Sequence, residues 1–216
     1  MGRKISDIYA EYKIMPNLQM HMYRVAAVAS IICDNFTEQI NKEDIVTACL
    51  LHDMGNIIKS NFEFLPELLK PEGPKYWQKV KDGFIEKYGS DDHEAHVKIL
   101  KEIGLSDEIT RLVDQVRFSL LCVQRDGADM GVKITHYADG RADPYGIVSF
   151  DERMAEAKVR YKDRDNLFPL KNRETLIECG KDIEKQIFAK CKIKPEDINN
   201  ETVAPVISKL KDFVVK

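Results

Sequence analysis

Ala48-Cys49-Leu50-Leu51-His52-Asp53-Met54-Gly55-Asn56 is the stretch on which the reading of this chain turns. An apolar run ends in an adjacent histidine and aspartate. Ile45, Ala48, Cys49 and His52 recur at i, i+3, i+4 and i+7, which predicts a helix with the imidazole on its buried stripe. The neighbouring carboxylate does not suit a core position unless something positive pairs with it. A divalent metal takes both kinds of ligand, whereas a structural histidine has little need of a buried acid beside it. Gly55 is expected to close the helix in a left-handed turn. By itself a His-Asp pair arises by chance in many chains.

Two distant residues give the pair weight. His21 lies in Leu18-Gln19-Met20-His21-Met22-Tyr23-Arg24-Val25-Ala26, where Leu18, Met22, Val25, Ala29 and Ile32 keep helical spacing. Asp139 lies in Ile134-Thr135-His136-Tyr137-Ala138-Asp139-Gly140-Arg141, an acid within a largely apolar helical run. The ordered set His21 … His52-Asp53 … Asp139 resembles the signature H…HD…D of the HD-domain superfamily of metal-dependent phosphohydrolases. The likeness runs from about Asn17 to Asp143, and Ala138-Asp139-Gly140-Arg141 is similar to the family's Ala-Asp-x-Arg helix.

That resemblance implies an all-α, HD-domain-like helical bundle with one divalent metal ion on His21, His52, Asp53 and Asp139. Two imidazoles and two carboxylates suit Mn, Mg, Fe, Co, Ni or Zn without choosing among them. The implied reaction is hydrolysis of a nucleotide or other small phosphorylated metabolite by metal-activated water, with Asp53 among the catalytic residues. A dinuclear-iron oxygenase of the same superfamily is the alternative within the enzymes. A non-catalytic metal- or nucleotide-binding regulatory protein is the alternative outside them.

Further residues complete the expected site. Arg24, one helical turn after His21, could grip phosphate oxygens with its planar fork, or pair with a buried acid such as Asp53. Lys59 is a candidate for substrate binding, with a solvated loop lysine as the plainer reading. Asp91-Asp92-His93-Glu94-Ala95-His96 resembles the family's Gly-His-x-x-x-Gly helix start, from which Asp92 and His96 depart. His93 is expected as a general acid and His96 as a helix-surface residue. His136 is read as a partner of Asp139 or a packing residue, Asp143 as a helix stop before Pro144. The segment Gly146 to Arg153 is read as a turn and a capped helix without chemistry.

The rest of the chain sets bounds. Its 216 residues predict one domain over 1–216, an HD-like core at 17–145 and a C-terminal helical extension at 146–216. The formal net charge of −3 with interspersed signs lacks the basic stripe of a nucleic-acid binder. Five scattered cysteines read as reduced core thiols of a cytoplasmic protein. No stretch approaches the ~18 consecutive apolar residues of a membrane span. Met1-Gly2-Arg3-Lys4-Ile5-Ser6 fits a short myristoylation pattern and is read as an ordinary start. Expected helix starts are Asn17, Asn41, Pro74, Asp91 or Asp92, Ser106, Ser149 and Thr202, with Pro205 in the first turn of the last helix. The helix after Ser106 is expected to run to about Gln124, and that after Ser149 to about Asp163. Asn56 to Pro74 is expected to be irregular around Phe62-Glu63-Phe64-Leu65.

Overall fold

Local side-chain hydrogen bonds start most of the helices. Asn41 opens α3 (Lys42–Leu51) by accepting the Asp44 N–H, with Glu43 and Asp44 favourable to the dipole in its first turn. Asp91 does the same for α5 (Asp92–Ile103), whose end is Gly104 at φ +85. Ser106 opens α6 (Asp107–Asp114), Asp129 opens α8 (Met130–Asp139), and a Ser149/Glu152 capping box opens α9 (Phe150–Arg160). The remaining helices are α1 (Ile5–Glu11), α2 (Pro16–Asn35), α4 (Pro74–Tyr88), α7 (Leu121–Asp126), α10 (Arg173–Phe188) and α11 (Asn200–Leu210). The structure, a computed structural model, describes residues 2–63, 66–162 and 171–216. Met1, Phe64, Leu65 and Asp163, on which expectations above fall, lie outside the described residues.

The fold is all-α. Its only sheet among the described residues is a two-residue antiparallel pair, β1 (Arg3–Lys4) with β2 (Val214–Val215), which joins the two ends of the described chain. α2, α3 and α8 pack against one another at the centre, and α6 covers α3. α10 lies on α7, α8 and α9, while α11 returns to α2. One apolar cluster runs through all of this, from Ile5 through Val25, Leu50 and Ile134 to Ile183 and Val215. Burying such side chains is worth roughly 1.5–3 kcal/mol each, enough to decide the arrangement.

Several expectations are corrected. Pro16, not Asn17, starts α2: its fixed φ suits the first helical position, so Met15 becomes the N-cap and Asn17 lies inside the first turn. The helix after Ser106 stops at Asp114, and a 3-10 turn (Phe118–Leu120) intervenes before α7. No proline or glycine marks that break in the sequence. Side chains satisfy the freed carbonyls, Arg117 Nε on Asp114 O at 2.9 Å and Gln124 Nε2 on Gln115 O at 2.6 Å. Asn199 rather than Thr202 caps α11, so Pro205 lies beyond the first turn. Gly55 has φ −94 and makes no left-handed turn. Its hydrogen is required for a different reason: a Cβ there would stand 2.9 Å from Asp92 O and 3.2 Å from His96 N. Gly55 therefore lets α5 approach the His-Asp corner.

The cysteines are not all thiols. Cys122 on α7 and Cys179 on α10 form a disulfide, with Cα atoms 5.0 Å apart, and Cys33, Cys49 and Cys191 are free. The 57-residue separation carries no signal that these two helices meet. The expectation of five reduced thiols therefore fails at Cys122 and Cys179, and it no longer supports a cytoplasmic location. Among the described residues, no helix is long and apolar enough to cross a membrane.

His136 is a buried member of this core, with Nδ1 2.6 Å from Gln124 Oε1. Burial lowers its pKa from 6.5 to about 4, although Asp139 pulls the other way. The unfolded chain then binds a proton that the folded chain refuses. The stability from this group is complete above pH 6.5 and is lost as pH falls towards about 4. The loss should reach about 3 kcal/mol at the foot of that window. Thermal midpoints measured from pH 7 to 4 should fall more steeply for the wild type than for His136→Gln. Parallel curves would show that His136 carries no such term.

Candidate metal centre

Three packed helices bring the ligand candidates together. α2 contributes His21 from its first half, α3 ends so that His52 is its C-cap and Asp53 follows, and Asp139 is the last residue of α8. His21 Nε2 stands 3.0 Å from Asp139 Oδ1 and 3.6 Å from Asp53 Oδ2. His52 Nε2 is 3.6 Å from Asp53 Oδ2 and 3.5 Å from Asp139 Oδ1. Two imidazoles thus face two carboxylates.

The donor atoms are oriented for a cation. His52 Nδ1 lies 2.8 Å from the Cys49 carbonyl and donates to it. That bond turns Nε2 towards the carboxylates, the arrangement in which an imidazole offers a lone pair to a metal. Nε2 is buried and has no hydrogen-bond partner of its own. Asn56 Nδ2 donates to Asp53 Oδ2 at 2.7 Å and holds that carboxylate.

The electrostatics agree. Burial alone would lower the His52 pKa, but Asp53 and Asp139 override it and hold the ring up to about 9. Burial would likewise raise Asp139, yet His21 and His52 hold it well below the usual carboxylate range. Two buried carboxylates of this kind call for positive charge between them. A divalent ion meets that demand, and the mixed nitrogen and oxygen donors suit it.

The other sequence candidates are placed as follows. Arg24 points away: Nη1 donates to Pro144 O at 3.1 Å and Nη2 to Tyr145 O at 2.9 Å. Its fork holds the turn that follows Asp139 rather than facing the cleft. Lys59 Nζ meets Asp92 Oδ2 at 2.8 Å, and Asp53 is near enough to raise its pKa against the cost of burial. Lys59 is therefore a paired lysine at the site, not a solvated one. His93 is half-buried and its pKa is lowered, chiefly by burial. His96 is buried, not on the surface, because Gly55 lets α5 press against the corner, and burial drives its pKa down to about 4. Asp92, His93 and His96 bring their donor atoms within 4.8 Å of one another. Asp143 accepts the Tyr145 and Gly146 N–H groups, as a turn-former does.

A cleft of about 280 Å³ opens beside the quartet and is lined by His21, Asp53, Asp139 and Lys59 together with Arg153 and Arg160. Neither Arg153, at the end of a segment expected to carry no chemistry, nor Arg160 was among the expected site residues. Arg153, Glu156 and Arg160 recur at i, i+3 and i+7, so one charged helical face was the available signal.

The chain matches the family model for the HD domain over residues 19–122. That span holds His21, His52 and Asp53 and stops before Asp139, which the tertiary structure adds to the group. No curated protein and no solved structure gives a match. HD domains bind divalent metals and define a superfamily of metal-dependent phosphohydrolases. Residues 19–122, with their histidines and aspartate gathered at one corner of a helical core, are what matches the HD domain in this chain.

Proposed function

We propose that this protein hydrolyses a small phosphate ester, with His21, His52, Asp53 and Asp139 holding one divalent ion. The observation that carries the reading is the buried His52 Nε2, unpartnered and turned into two carboxylates at the edge of a cleft. Bound there, such an ion supplies Lewis acidity towards a phosphoryl oxygen and lowers the pKa of water. The chain's own groups do the rest. Asn56 fixes the Asp53 carboxylate, and Lys59 brings positive charge to the cleft where phosphate oxygens would lie. Arg24 acts in this proposal by holding the Pro144-Tyr145 turn beside the cleft, not by gripping substrate. His93 is proposed as the group that exchanges a proton with the leaving oxygen. At about 280 Å³ the cleft falls just below the usual range of ligand cavities, about 300–1,000 Å³, and suits a small phosphorylated metabolite such as a nucleotide or sugar phosphate.

The Asp92-His93-His96 group is the one observation that favours a two-metal site and with it an oxygenase. Against it, the Lys59 ammonium already sits 2.8 Å from Asp92 and would repel a second cation. Elemental analysis of purified protein, paired with a phosphate-release screen over nucleotides and sugar phosphates, tests the proposal. One metal per chain with phosphate release is the expected result. Two irons per chain with oxygen consumption would replace hydrolysis by oxygenation, and bound metal with no turnover in the screen would point to a binding protein.

A further inference from the structure

We propose that Arg153 and Arg160 of α9 form an anion seat distinct from the metal group, so that the substrate carries a second anionic group beside the phosphate that reacts. This rests on the hydrolase reading for its consequence, but the seat itself is read from α9. Both arginines line the same cleft as His21, Asp53 and Asp139, and both lie beyond residues 19–122, the span of the HD match.

Their charges are incompletely answered. Arg153 Nη1 and Arg160 Nη2 both donate to one oxygen, Glu156 Oε2, at 2.7 and 2.8 Å. Two guanidinium groups thus share one carboxylate, although their side chains are only 11% and 19% exposed. A largely desolvated cation without a full partner is costly, and an incoming anion removes the cost. Arg160 Nε is buried and has no acceptor among the described residues. Asp143, the nearby lining acid, is turned to the backbone N–H groups of Tyr145 and Gly146 and leaves the arginines unanswered.

The seat is also held in place. Arg153 Nε donates to Ala142 O at 2.9 Å, three residues beyond Asp139, which ties α9 to the segment that carries a metal-ligand candidate. The Arg160 guanidinium lies over the Tyr161 ring, 4.8 Å from its centroid. Planar forks fixed in this way match phosphate oxygens. A diphosphate or polyphosphate, with one phosphate at the metal group and another at α9, fits the pair of subsites.

Inorganic tripolyphosphate is the probe, titrated calorimetrically into full-length protein stripped of metal and chelator. Wild type and Asp53→Asn are expected to bind it alike, because the seat does not use the metal ligands. Arg160→Gln should bind about ten- to hundredfold more weakly. Arg160→Lys, which keeps charge without the fork, should fall between them and serves if the glutamine variant fails to fold. Wild-type affinity in Arg160→Gln, or in Arg160→Lys should the glutamine variant not fold, would overturn the proposal, as would no binding by wild type. Tripolyphosphate binding that depends on Arg160, in a metal-loaded protein that releases phosphate from nothing in the screen, would keep the seat and remove the hydrolase reading.

Discussion

Asp53→Ala is expected to strip the metal from the protein and abolish turnover while the far-ultraviolet circular dichroism stays that of the wild type. Asp53 lies beyond the end of α3 and faces polar groups, so its loss removes no helix cap and opens no apolar core cavity. What it removes is one of the two carboxylates that His21 and His52 face. Losing a group that merely orients a ligand weakens metal binding about 10–100-fold, and losing a ligand should cost more. Metal content by elemental analysis and rate by phosphate release check the two halves. His21→Ala and Asp139→Ala should follow the same course if the quartet is one site. Full occupancy and wild-type turnover in Asp53→Ala would sink the metal assignment.

The second large effect concerns stability. Arg141, two residues beyond Asp139, is buried and donates to Tyr137 Oη at 2.7 Å, Ile198 O at 2.9 Å and Pro195 O at 3.2 Å, and also to Val148 O. It therefore ties the end of α8 to the chain that leads into α11. Tyr137 in turn donates to Glu184 on α10. Arg141→Met fills much of the same volume but leaves those carbonyls without a donor in a dry environment, each at about 1–3 kcal/mol and not additively. A loss of about 3–5 kcal/mol is expected, which for a chain of this size lowers the melting temperature by roughly 10 °C. At temperatures where the variant is folded, its metal content should match the wild type, because Arg141 does not line the cleft. A variant with unchanged melting but lost metal would move Arg141 from scaffold to site.

What the sequence determined by itself was whatever depends on neighbours in the chain. Asn41, Asp91, Ser106 and Ser149 each accept an N–H from three residues ahead, a bond complete within a single turn. Helical periodicity carried the all-α class for the same reason. His21, His52, Asp53 and Asp139 were legible as an ordered H…HD…D pattern, because nitrogen and carboxylate donors of the kind a divalent metal takes are uncommon in apolar helical runs. Tertiary structure decided what depends on which helix faces which. Nothing near Cys122 announces Cys179, since their pairing follows from the packing of α7 on α10. Gly55 looked like a helix stop, and only the approach of α5 shows that its missing Cβ makes room, burying His96 in the process. Arg24 shares a helix with His21, yet 60° or so of rotation about the axis sends its guanidinium to the Pro144-Tyr145 turn. Arg153 and Arg160 line the cleft and Arg24 does not, which follows from where α9 packs and not from any spacing in the chain.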